Sequence, residues 1–142
     1  MNREAIYSAF FELVRGVADF KTTERRWRGW AEVPPAEQPA LFMAQVRETH
    51  QVVTKLPPVW MLHVELWVYV NSGSGVNELP ATQLNGVLDA LTNALMPPVP
   101  QGEQTLGGLV HRCRIDGEVN TDEGTFGDQA VAVIPVTIFV SQ

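Results

Sequence analysis

The chain has 142 residues, 45% of them hydrophobic and 18% charged, with a net charge of −6. That size is enough for one domain with one buried core, and no segment has the low hydrophobicity and high charge of a disordered tract. The acidic balance argues against tight nucleic-acid binding, a single cysteine rules out an internal disulfide framework, and the apolar runs fall short of the ~20 residues that span a bilayer.

Along residues 2–17, Ile6, Ala9, Phe10, Leu13, Val14 and Val17 recur at spacings of three and four, predicting an amphipathic helix with Asn2 as N-cap and Gly16 near its end. Arg3, Glu4, Glu12 and Arg15 interrupt this apolar pattern, so it does not read as a secretory leader, and a cytoplasmic location is expected. Residues 20–30 read as a strand despite poor alternation, ending in a proline-rich loop at Val33, Pro34, Pro35 and Pro39. A second strand is expected over 40–49, where Phe42, Ala44 and Val46 alternate with Met43, Gln45 and Arg47.

After the break at Pro57 and Pro58 comes the clearest strand, 59–71. Trp60, Leu62, Val64, Leu66, Val68 and Val70 line one face, and Met61, His63, Glu65, Trp67 and Tyr69 the other. The second face is too aromatic for plain solvent exposure and too polar for a dry core, so it is either an interface or the floor beneath the first helix. Past a turn at Asn71, Ser72 and Gly73, the positions Leu84, Val87, Leu88, Leu91 and Leu95 predict a second helix, stopped by Pro97 and Pro98. Two final strands are expected over 106–119 and 129–140, joined by a polar connection over 120–128, with Pro135 marking an edge or a bulge. The resulting fold class is α+β: a two-layer sandwich with a mainly antiparallel sheet of about five strands and two helices on one face.

Chemistry-bearing patterns are sparse. His50, His63 and His111 fall on separate predicted strands without metal-ligand spacing, and Asp116, Glu118, Asp122, Glu123 and Asp128 lack the glycine an EF-hand loop requires. No phosphate loop, dinucleotide fingerprint or nucleophile elbow is present, so no cofactor, metal or enzymatic activity is expected. Arg25, Arg26 and Arg28, interleaved with Trp27 and Trp30, could grip a phosphate backbone, but pairing with the abundant acidic residues accounts for them better.

Several stretches carry a family resemblance: the N-terminal helix, residues 25–42 (RRWRGWAEVPPAEQPALF), the strand ending near Val70, and the runs TLGGL at 105–109 and GDQAVA at 127–132. In these the chain resembles the tail-terminator, or minor tail protein U-like, proteins of long-tailed bacteriophages. The resemblance implies a structural virion subunit that forms a ring of six at the head-proximal end of the tail tube. Such a ring stops tube polymerisation, contacts the tail tube protein and the head-tail connector proteins, and lets DNA pass without sequence-specific binding. The expected interface residues are Arg25, Arg26, Arg28, Trp67, Tyr69, Asn71, Ser72, Gly73, Asp122 and Glu123. Another head-tail connector or completion protein, or a small nucleic-acid-binding protein using the arginine cluster, remains an alternative.

Overall fold

The computed structural model describes residues 1–71, 79–97, 100, 102–125 and 127–141. Among them the chain forms two helices, α1 (Arg3–Arg15) and α2 (Pro80–Leu95), and six strands. The strands are β1 (Thr22–Glu24), β2 (Ala40–Gln51), β3 (Val59–Asn71), β4 (Arg112–Ile115), β5 (Asn120–Glu123) and β6 (Gln129–Ser141). All lie in one sheet of order β1-β2-β3-β6-β4, with β5 also paired to β6. Every pairing is antiparallel except β1 with β2. The fold is therefore α+β, as the periodicities predict.

The N-cap of α1 is as expected, with the Asn2 side chain accepting from the Ala5 amide at 3.1 Å. Ile6, Tyr7, Phe10, Phe11 and Val14 of α1 and Leu84, Val87, Leu91 and Leu95 of α2 share one buried cluster with a single face of the sheet. That inner face presents Leu41 and Met43 of β2, the even-numbered residues 62–70 of β3 and the even-numbered residues 130–140 of β6. The period-2 alternation thus separates a dry inner face from a mixed outer one.

Three expectations need correction. The strand expected over 20–30 shrinks to Thr22–Glu24, and residues 25–38 run on as a connection with short 3-10 turns at Trp30–Glu32 and Pro35–Glu37. The strand expected over 106–119 is reduced to Arg112–Ile115, because Leu106, Gly107 and Gly108 adopt positive φ and form a turn. The polar connection expected over 120–128 is half strand: Asn120–Glu123 pairs with β6, raising the described strands to six.

Pro135 lies in an interior strand, so it marks no edge of β6; the irregularity lies in the segment between β4 and β5 instead. β4 pairs with residues 136–139 and β5 with residues 130–133, and the break between them falls opposite Pro135. There Gly117 has φ +120°, and a Cβ would come within 3.3 Å of the Pro135 ring. The positive φ strains any side chain there, and an added Cβ would also crowd the proline ring, so both favour glycine.

Candidate interface on the outer face of the sheet

One half of the outer face is covered by the chain itself. Trp67 and Tyr69 on β3 sit beside Ala40 and Phe42 on β2 and Val131 on β6, and the segment 25–38 folds over them. The Tyr69 hydroxyl donates to the Arg28 carbonyl at 2.6 Å, and burial pushes its pKa up to about 12. Phe42 packs against Tyr69 at 5.7 Å between ring centroids, and Trp27 meets Trp67 edge to face at 5.5 Å. At the rim, the buried Gln38 side chain donates to Val33 O at 3.0 Å and to Gln129 Oε1 at 2.7 Å, tying the segment to the start of β6. The first helix does not cover this face.

The arginine cluster divides by function. Arg28 reaches Glu24 at 3.2 Å, Glu37 at 2.5 Å and the Glu32 carbonyl at 2.8 Å, with its guanidinium over Phe42. Its pKa is raised further, chiefly by the hydrogen bond to Glu37. Arg25 pairs with Glu4 and also reaches Ser8 at 3.2 Å and Gln45 at 3.3 Å, joining β1 to α1 and β2. The Arg25 bond, with Ser8, holds the Glu4 carboxyl below its ordinary range. Arg26 alone of the three is exposed and makes no ion pair or hydrogen bond among the described residues, flanked by the half-exposed Trp27 and Trp30. Two of the three arginines therefore fasten the chain to itself.

Among the described residues, the other half of the outer face is more exposed. It presents Met61, His63 and Glu65 of β3, Arg47 and Thr49 of β2, Phe139 of β6, and Arg112 and Arg114 of β4, around the buried Thr137 of β6. His63 lies 3.2 Å from Thr137 Oγ1 through Nδ1 and 3.4 Å from Thr49 Oγ1 through Nε2. Partial burial, and then the Arg47 charge, lower its pKa, while Asp116 opposes them. Phe139 lies beneath the guanidinium groups of Arg112 at 4.7 Å and Arg114 at 5.4 Å. A cavity of about 130 Å³ opens between Arg47, His63, Glu65, Asp116, Pro135 and Thr137. Val46, which lines this cavity, and Val52, Val53 and Leu56 at the adjoining end of the β2–β3 hairpin leave large apolar side chains exposed. Aromatic, arginine and apolar groups with few paired charges make a surface of the kind proteins use to bind proteins.

The remaining expected interface residues are scattered. Asn71 ends β3 beside the covered half, and Ser72 and Gly73 lie outside the described residues. Asp122 and Glu123 lie on β5 at the far edge of the sheet, where Asp122 Oδ1 accepts from the Thr125 amide at 3.1 Å. Cys113 is buried, its thiol pushed up to about 12 by that burial, so little thiolate forms near neutrality. Among the described residues, no three His, Cys, Asp or Glu side chains group to hold a metal, and no helix is long and apolar enough to cross a membrane. Sequence reasoning missed Arg47, Arg112, Arg114 and Phe139. Their alternation with core residues was the available signal, but only the β3–β6–β4 register brings them together.

No family model matches the chain, and no curated protein matches it. Among solved structures, a chain described only by a sequence identifier aligns with all of this chain and 96% of its own length, at 18% identity and a TM-score of 0.47. A likeness that distant carries no functional argument.

Proposed function

We propose that this chain is a structural subunit of a long-tailed phage or prophage, the tail terminator. In this reading it assembles as a ring of six at the head-proximal end of the tail tube, stops tube growth and offers the surface that joins the head. The ring contacts the tail tube protein on one side and the head-tail connector proteins on the other, and DNA passes through it without being read. The mature location is the virion.

The observation that carries the reading is the more exposed half of the outer face, continuous in the sheet with the exposed apolar end of the β2–β3 hairpin. A subunit that works by assembly needs such surface beyond what its own core consumes. The family resemblance of residues 25–42, 105–109 and 127–132 supplies the particular assembly. The engagement of Arg25 and Arg28 by Glu4, Glu24 and Glu37 weighs against phosphate binding by the arginine cluster, since it leaves Arg26 as the one unpaired member.

Light scattering across a wide concentration range, with electron microscopy of any large species, tests the proposal. A closed ring of about six subunits is expected. A protein that stays monomeric alone and also fails to bind preformed tail tubes would sink it.

A further inference from the structure

The two edges of the sheet carry opposite unpaired charge at the same level. One row of backbone partners runs Thr22, Ala40, Tyr69, Val131, Asp122, from the β1 edge straight across to the β5 edge. No strand among the described residues pairs with the outer side of either β1 or β5. Unpaired edges of this kind are templates for another strand.

On the β5 side, no lysine or arginine occurs after Arg114, while Asp116, Glu118, Asp122, Glu123 and Asp128 all do. None of these five has a cationic partner within 4.0 Å among the described residues, and four of them are exposed. On the β1 side, the exposed Lys21 and Arg26 bracket the strand and are likewise unpaired. Lys21 is anchored by its amide to the Pro39 carbonyl at 2.8 Å, which places it at the Glu123 end of the row pattern. Arg26 follows the opposite end of β1, and Glu118 precedes the corresponding end of β5. Exposed Trp27 and Trp30 flank Arg26, and exposed Val119 follows Glu118.

We infer that the chain binds a second copy of itself head to tail, the acidic β5 edge of one copy meeting the basic β1 edge of the next. Strand direction agrees. β1 runs parallel to β2 and β5 runs opposite to it, so successive copies in the same orientation bring the two edges together antiparallel. The charges also reject the symmetric alternatives, because β5 against β5 would face carboxylates with carboxylates and β1 against β1 would face cations with cations. A contact between two different patches repeats without limit unless its rotation closes, and each strand step adds a twist of about 20–25° that turns successive copies. The inference deepens the proposed ring and relies on that reading only for closure.

The test is a charge exchange. Lys21→Glu with Arg26→Glu reverses one edge, and Glu118→Lys with Glu123→Lys reverses the other; all four side chains are exposed and unpaired, and Asp122, which holds the 122–125 turn, is untouched. Light scattering should show each double variant assembling at a concentration about tenfold or more above wild type, and an equimolar mixture of the two recovering assembly through alternating copies. Wild-type assembly should also weaken between 50 mM and 500 mM salt, by about tenfold. Melting temperatures report whether the variants fold, and glutamine replacements at the same four positions should weaken assembly in the same direction should a reversal fail to fold. Either double variant assembling like wild type, a mixture that stays dissociated, or a wild type monomeric at every concentration overturns the inference. Closed rings insensitive to these residues would leave the terminator reading standing without this contact; open chains abolished by them would leave the contact standing without the ring.

Discussion

The two halves of the outer sheet face share the same strands and the same alternation but serve different ends. Around Tyr69 the chain covers its own aromatic residues with residues 25–38, and Arg28, one of the three arginines that the sequence puts forward as interface residues, is held in that cover by Glu24 and Glu37. Around His63 the equivalent positions are partly exposed, and the guanidinium groups of Arg112 and Arg114 lie over Phe139. Aromatic and arginine residues therefore mark an interface only where the chain has not already used them for its own packing.

Matched substitutions separate the two halves. Phe42→Ala empties a fully buried site beneath Arg28 and Tyr69 and should cost about 3 to 4 kcal/mol in chemical denaturation. Phe139→Ala, the same change on the same face, removes a half-buried ring and should cost only about 1 kcal/mol. Equal losses would erase the distinction. Tyr69→Phe removes the hydroxyl that satisfies the Arg28 carbonyl and should cost about 1 kcal/mol. Arg28→Glu, which sets a carboxylate between Glu24 and Glu37, should lower the melting temperature, whereas Arg26→Glu should leave it unchanged.

The smallest effect is a pH dependence on the more exposed half. Because the folded state holds the His63 pKa below its ordinary value, the unfolded chain takes up that proton first as pH falls. Its contribution to stability is full above the ordinary histidine pKa and declines as pH drops from there toward the folded value. His63→Gln keeps a group able to bond Thr137 and should flatten the fall in melting temperature between about pH 7 and pH 5. An unchanged slope would mean that His63 titrates as it does in the unfolded chain.

Much of the fold was legible because it rests on local periodicity. The 3.6-residue stripe of α1 and the strict alternation along Val59–Asn71 each appear within one stretch of sequence. What was illegible depends on distant partners. Asn-Thr-Asp-Glu has little intrinsic preference for a strand, and β5 forms because residues 130–133 of β6 offer a free edge there. The cover over Tyr69 depends on bonds spanning 41 positions to Arg28 and, between Gln38 and Gln129, 91 positions. The acidic run after Arg114 was visible from the start, but its meaning emerged only once β1 and β5 stood at opposite ends of one backbone row.

Tail-tube assembly in the presence of this protein tests the central claim most directly, with electron microscopy measuring tube lengths and the ends of the tubes. The terminator account predicts a ring at one end of each tube and an end to further growth. Tubes that lengthen equally with and without the protein, and carry no added ring, would contradict it.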